Sequence, residues 1–397
     1  MLNSAEKLKS ELASELDNIL RYWKENSLDE EKGGFVGQRD HYNKLIPDAN
    51  KGIILNTRIL WSFSAAGNFK NDENLRAYAD RGYENLKSRF QDKNFGGVYW
   101  ELDAEGNPVN KRKQIYAQAF AIYALSEYYF FSGEEKSREW ALSLFKLIEE
   151  HARDREFNGY FEAFQEDWSP IEDMRLSEKD RNSAKTMNTH LHVLEAYTTL
   201  YRISKNAKVK EALDNLTDLF LKKFYDPKND HFQLFFDKEW SREGNVVSYG
   251  HDIEAVWLMI EAARASENDD LLQKAEEVAV KVAETFLKEA YVEGKGVLNE
   301  KDLDSGEIDT DRHWWPQIEA MVGLEYAFRI SGEKSFQNAI FDIWEYTKQH
   351  IIDSENGEWF FRVDENNQPY KEEDKLGLWK CPYHNSRGCI QLIQSNS

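Results

Sequence analysis

Five of the nine histidines, His190, His192, His251, His313 and His384, fall at the starts of segments rich in alanine, leucine and aromatic residues. Imidazole titrates nearest neutral pH of all side chains, so such a cluster suits proton transfer. The same segment starts carry Arg58, Tyr116, Asn188, Glu254, Trp314, Trp315, Glu319 and, just ahead of His384, Trp379. Helical spacing sorts these groups. Asn188, His192 and Glu195 share one face, whereas His190 points about 200° away from His192 on a helix turning ~100° per residue. His192 is therefore expected in a pocket and His190 in packing. His251 with Glu254, and Trp315 with Glu319, repeat the three- and four-residue spacings, so each carboxylate is placed to hold the ring N–H of a neighbouring imidazole.

Two chemistries fit this set. Glu254 and Glu319 could serve as the paired carboxylates of a glycoside hydrolase. Histidines from separate helices suit proton transfer beside a carbonyl, with an acid/base on each face of a planar enediolate, and their number favours this second reading. Aromatic faces and charged side chains at one mouth suit a carbohydrate. A metal is not expected, because the His-x-x-Glu order reverses that of di-iron bundles and the ring is too wide for two helices to clamp one ion. Gly-x-Ser-x-Gly, P-loop and Gly-x-Gly-x-x-Gly patterns are absent, so neither a serine nucleophile nor a nucleotide is expected.

The elements that must position these residues form a repeat. An aromatic-glycine signature recurs at Gly34, Gly97, Gly159, Gly296 and Gly357, with spacings of 63, 62, 137 and 61 residues. The long gap holds a sixth, glycine-free copy, Asp230-His231-Phe232. After the signatures come apolar helical patterns such as Ala117–Phe130 and Ile253–Ala265, then amphipathic ones such as Glu135–Arg153, Ala207–Phe224, Asp269–Glu289 and Glu333–Ile351. A helix apolar all round is buried and an amphipathic one faces solvent. The expected fold is all-α, an (α/α)6 barrel of six inner and six outer helices with short β-hairpins at one end. An open helical solenoid is the alternative. No Pro/Ser-rich linker interrupts the pattern, so residues 1–397 are expected to form one catalytic domain.

Composition bounds the partners. Lys and Arg number 51 against 72 Asp and Glu, a net charge of −21, and no basic block stands out, which argues against nucleic acid. No apolar run is long enough for a membrane span. Only Cys381 and Cys389 are present, too few for a disulfide framework or zinc site, and a cytoplasmic location is expected. Aromatic residues make up 14% of the chain, a surplus shared between core and pocket.

The strings Met187–Tyr197, Tyr249-Gly250-His251-Asp252-Ile253-Glu254-Ala255, His313-Trp314-Trp315-Pro316-Gln317 and Lys380-Cys381-Pro382-Tyr383-His384-Asn385 resemble the cellobiose 2-epimerases. These are a branch of the N-acylglucosamine 2-epimerase superfamily of (α/α)6 barrels, and the similarity runs over essentially the whole chain. The resemblance implies reversible C2 epimerisation of the reducing-end glucose of β-1,4-linked disaccharides, cellobiose to glucosyl-mannose and lactose to epilactose. It implies ring opening, a cis-enediolate and rotation about C2–C3. It gives His251 and His384 the two acid/base roles, His192 ring opening and Arg58 stabilisation of the enediolate. Glu254 and Glu319 become orienting acids, and Tyr116, Asn188, Trp379 and either Trp314 or Trp315 position the sugar. No cofactor, a small-molecule disaccharide as the only partner and a monomeric state are expected. An aldose–ketose isomerase of the mannose isomerase type and a non-catalytic sugar-binding barrel are the competing readings.

Overall fold

The computed structural model describes residues 4–395. Six helices form an inner ring: α2 (Ile53–Lys70), α4 (Ile115–Ser132), α6 (Met187–Ser204), α8 (Tyr249–Ser266), α10 (Trp314–Ser331) and α12 (Tyr383–Gln394). Six flank them outside: α1 (Ser4–Asn26), α3 (Arg76–Asn85), α5 (Glu135–Leu147), α7 (Ala207–Leu219), α9 (Asp269–Glu289) and α11 (Lys334–Tyr346). Each inner helix packs on the next, and α12 packs back on α2, so the ring is closed and the open solenoid is ruled out. The chain's first helix completes its last repeat: α1 lies on α12. Trp23 Nε1 donates to Glu358 at 2.9 Å and Trp359 Nε1 to Glu15 at 2.7 Å, tying the two chain ends together.

The outer helices end earlier than their sequence patterns suggest. The stretches Leu86–Phe90, Ile148–Ala152, Phe220–Phe224 and Thr347–Ile351 are five-residue π turns that close α3, α5, α7 and α11. Each delivers the chain to a signature loop. There, short antiparallel pairings such as Lys113–Gln114 with Ala163–Phe164 and Arg312–His313 with Arg362–Val363 gather at the end where the inner helices begin.

The inner helices share a register that sorts their residues. In α4, α6, α8 and α10 the fourth residue clamps the preceding signature. Gln118 bonds the N–H and C=O of Val98 at 2.8 and 3.0 Å, and Gln317 does the same to Val297 at 2.9 and 3.1 Å. His190 Nε2 accepts from the Tyr160 N–H at 2.9 Å and Asp252 from the Phe232 N–H at 2.8 Å. Gly97, at φ +80°, lies so close that a Cβ would stand 2.9 Å from Gln118 Oε1, which is why this signature needs glycine. In the glycine-free copy His231 stands at the place of Gly97 without a positive φ, and only Asp230, at the place of Gly96, adopts one, φ 57°, which Asp tolerates. The second and sixth residues lie one turn apart on the opposite face. At the second position stand Tyr116, Asn188, Gly250, Trp315 and His384; at the sixth stand Arg58, Phe120, His192, Glu254 and Glu319.

Buried ion pairs fasten the loops to this ring. Lys51–Asp29, Lys113–Asp92 and Lys185–Asp154 each join a signature turn to the residue two places before an inner helix, at 2.6, 2.5 and 2.7 Å. Asp92 also accepts the N–H groups of Asn94 and Phe95. Both side chains of the Lys113–Asp92 pair are fully buried, so removing one partner leaves an uncompensated charge. Lys113→Ala is expected to lower unfolding free energy by about 3–5 kcal/mol. The exposed neighbour Lys93→Ala should lower it by less than about 0.5 kcal/mol, both read by urea denaturation.

Candidate active site

The floor of the barrel mouth is built on one guanidinium. Arg387 of α12 is 1% exposed and lies between the rings of Trp257 and Tyr383, 4.7 and 4.2 Å from their centroids. Its Nη2 donates to Glu254 and Glu319 at 2.5 and 2.6 Å, and its Nη1 contacts Glu195 and the Tyr383 hydroxyl. Burial raises the Glu195 carboxyl, but Arg387 and His192 outweigh it and hold Glu195 below the usual carboxylate range. Glu254 goes the other way: burial and the Glu319 charge push it up to about 8, so the cluster retains a proton near neutral pH.

Two of these carboxylates orient imidazoles. His192 Nδ1 donates to Glu195 at 3.0 Å, the local i, i+3 pair that the sequence predicts. His384 Nδ1 donates to Glu319 at 2.7 Å, across from α12 to α10. In both rings the carboxylate fixes the proton on Nδ1 and leaves Nε2 as an acceptor. Burial first, then the Arg58 and Arg387 charges, keep His384 well below the ordinary histidine value. His251 departs from expectation. It occupies the third position of α8, off the axial register, and its Nδ1 meets Ser248 Oγ at 2.9 Å rather than Glu254. Glu254 instead serves Arg387 and stands 4.0 Å from His384 Nδ1. Burial pushes His251 down to about 3, so this imidazole too is neutral.

Trp315 packs against both histidines, its ring 4.9 Å from that of His251 and 5.3 Å from that of His384. Gly250 makes room for it, since a Cβ there would lie 2.4 Å from the indole. Trp315 opens to the cavity, whereas Trp314 is 3% exposed and covered by Phe361 and Lys380, forming wall rather than platform. Of the doublet, Trp315 is thus the more open to the chamber that both line.

Arg58 is the counterpart of Arg387 in a different setting. It is 3% exposed, donates to Tyr116 Oη at 2.8 Å and to Cys381 Sγ at 3.5 Å, and lies over Phe120 and Tyr383. No carboxylate pairs with it among the described residues. Its charge is therefore available to an anion arriving in the cavity.

The mouth holds two adjoining chambers of about 570 and 800 Å³. Arg58, Tyr116, Trp315, Trp379 and His384 line the smaller, His251 lines the larger, and Asn188 and His313 line both. A loop over residues 173–183 divides them, held by Arg112 and Gln114 through the carbonyls of Asp173, Met174 and Arg175. His192, Glu254 and Glu319 lie one layer below the walls, and His190 is absorbed by its clamp, with Nδ1 donating to Thr186 O at 2.7 Å. Sequence reasoning missed Arg387, Tyr383 and Cys381. The signal for Arg387 was its place as the sole Lys, Arg, Asp or Glu in a helix otherwise buried, three residues after His384. Glu254, Glu319 and His384 present ligand atoms within 4.8 Å of one another. Arg387 already supplies the positive charge on both carboxylates, so these residues do not fit a metal ion.

A model of the N-acylglucosamine 2-epimerase (GlcNAc 2-epimerase) family matches residues 33–386. The chain belongs to this family. Within it, the chain is 46% identical to the cellobiose 2-epimerase of Bacteroides fragilis, over 97% of this chain and 98% of that one. The structure of cellobiose 2-epimerase from Bacillus thermoamylovorans superposes with a TM-score of 0.94 at 38% identity, covering 98% of this chain and 99% of that one. A D-mannose isomerase of Marinomonas mediterranea is more distant, 22% identical over 98% of this chain and 97% of that one. The N-acylglucosamine 2-epimerase fold accordingly comes with the closed six-pair ring seen here.

Removing Arg387 tests the floor. Arg387→Met leaves Glu254 and Glu319 without their cation and is expected to cost about 3–5 kcal/mol of stability. Adding Glu254→Gln should restore part of that loss, as read by thermal unfolding of the single and double variants. Full additivity of the two changes would contradict the pairing.

Proposed function

We propose that this chain catalyses reversible C2 epimerisation of the reducing-end glucose of β-1,4-linked disaccharides, cellobiose to glucosyl-mannose and lactose to epilactose. The observation that carries the reading is the pair of neutral imidazoles from different helices, both packed against Trp315, beside an arginine with no carboxylate of its own. High identity to cellobiose 2-epimerases along the full chain supports the substrate class.

In this mechanism the sugar stacks on Trp315 and Trp379, with Tyr116 and Asn188 fixing its hydroxyls. His192, its Nδ1–H tied to Glu195, accepts the anomeric hydroxyl proton as the C1–O5 bond breaks, and that proton passes to O5, giving the open-chain aldehyde. The C2–H bond then breaks. Its proton passes to Nε2 of His384 or His251, and the electron pair moves into the enediolate, whose oxygen charge Arg58 stabilises. After rotation about C2–C3, the other histidine delivers to the opposite face a proton that its Nε2 has taken up from solvent, and the first histidine releases its own proton to solvent. Glu319 holds His384 in the tautomer this needs, and Glu254 steadies the floor through Arg387. The participating residues all line one mouth of a ring that closes through α12 on α2, and the reading takes the chain as a monomer working as one catalytic domain. Two unpaired cysteines fit a cytoplasmic setting, and among the described residues no helix is long and apolar enough to cross a membrane.

Incubation with cellobiose in heavy water, followed by NMR, tests the reading. Glucosyl-mannose carrying deuterium at C2 is expected; a 2-ketose as the main product would indicate an isomerase, and release of monosaccharide a hydrolase. His251→Ala and His384→Ala should each lower kcat by about 10²–10⁴. Retention of more than about a tenth of the rate by either would remove it from the acid/base role.

The pH profile gives a second check. The reactive form of the His384 imidazole is neutral, and its pKa lies well below the ordinary 6.5. As pH falls, the neutral form therefore persists past the point where an ordinary histidine would protonate. The acid limb of kcat/KM is expected below 6.5. A limb centred at or above that value would contradict the assignment.

A further inference from the structure

Four of the five histidines at inner-helix starts now have roles: three serve the chemistry and His190 clamps a loop. His313 is left over. It immediately precedes α10, its backbone pairs with Arg362, and its carbonyl accepts from Gln317 Nε2 at 3.1 Å. The backbone is thus fixed from both sides. The half-buried imidazole packs edge-on against Phe361, ring centroids 5.8 Å apart, and has no hydrogen-bond partner among the described residues.

Its position is specific. His384 opens only on the smaller chamber and His251 only on the larger, whereas His313 and Asn188 line both. A carbon that exchanges protons with both acid/base histidines must sit where the chambers meet. Asn188, which lines both chambers too, has its Oδ1 buried without a partner among the described residues, while the half-buried His313 ring opens to the cavity. Orphaned polar groups of this kind are uncommon in native interiors and point to a ligand that satisfies them.

We propose that His313 is a sugar-binding residue: its imidazole grips a hydroxyl of the reacting unit on the C3–C6 side, holding that end still while C2 turns from one histidine to the other. The proposal rests on the epimerase reading above. Burial, with Arg362 and Lys179 nearby, pushes His313 down to about 4 despite the attraction of Asp309, so the ring is neutral. A neutral imidazole offers one N–H donor and one acceptor nitrogen, a pair matched to a hydroxyl rather than to a charged group. Phe would fill the same space against Phe361 and keep any packing role while losing both polar contacts.

The test compares wild type, His313→Phe and His313→Asn on cellobiose in heavy water. Two readouts are followed by NMR: KM, and the ratio of C2 deuterium incorporated with retention to that incorporated with inversion. His313→Phe is expected to raise KM roughly tenfold, the size of one or two neutral hydrogen bonds. It should also raise the retention-to-inversion ratio several-fold, because a loosely held chain returns its proton from the face that lost it. His313→Asn should recover part of both effects. Wild-type KM and ratio in His313→Phe would overturn the proposal, as would equal losses of exchange and inversion accompanied by a lowered Tm. If wild type exchanges no deuterium at C2, the epimerase reading fails by itself. Cellobiose titrations of wild type and His313→Phe, followed by tryptophan fluorescence, then decide the binding role: affinity weakened about tenfold supports it, and unchanged affinity overturns it.

Discussion

A single buried cation organises this molecule. Arg387 joins carboxylates from α6, α8 and α10 to α12, four of the six walls of the ring, at a depth where no water offsets their charge. Three carboxylates at such a place repel one another, and each would cost several kcal/mol to bury alone. The guanidinium makes the cluster tolerable and fixes where each carboxylate points. Those directions set the tautomers of His192 and His384, so the protonation pattern at the cavity follows from a group that never reaches it.

The two arginines of the mouth show how environment divides one chemistry into two roles. Arg387 is neutralised by three acids, and its charge is spent inside the floor. Arg58 is held by a phenol, a thiol and two aromatic faces, none of which cancels its charge. Aromatic faces attract a guanidinium without neutralising it. Burial therefore leaves Arg58 with a positive charge at the cavity that no carboxylate cancels among the described residues. The histidines are asymmetric in a similar way: His384 leans on a carboxylate and His251 on a serine hydroxyl.

Repetition explains how such varied residues stand at equivalent places. In four of the six inner helices the fourth position clamps its signature loop, and Gln118, His190, Asp252 and Gln317 do so with different chemistry. The second and sixth positions carry no structural duty common to all repeats, so they are free to hold Tyr, Asn, Gly, Trp and His at the wall and Arg, Phe, His and Glu at the axis. A histidine in this fold is thus read from its register. His190 is structural because it is fourth, and His192 belongs to the site because it is sixth.

Much of this was legible in the sequence where a relation is local. The alternation of apolar and amphipathic segments foretold the double ring, and the i, i+3 spacing of His192 and Glu195 foretold their bond, because helix pitch alone sets both. Spacing failed for His251 and Glu254, which share that interval yet part company. A three-residue interval says that two groups share a face, but the third position of α8 leans towards Ser248 and the sixth towards the axis. Contacts across the ring were out of reach. Glu319 meets His384 over 65 residues and Glu195 meets Arg387 over 192, pairings that depend on how each helix is rotated within the closed barrel. The sequence by itself determined which residues stand at the mouth, since helix starts and periodicity are local properties. Only the tertiary structure decided which of them are partners, because ring closure and helix rotation are settled by packing among all twelve helices at once.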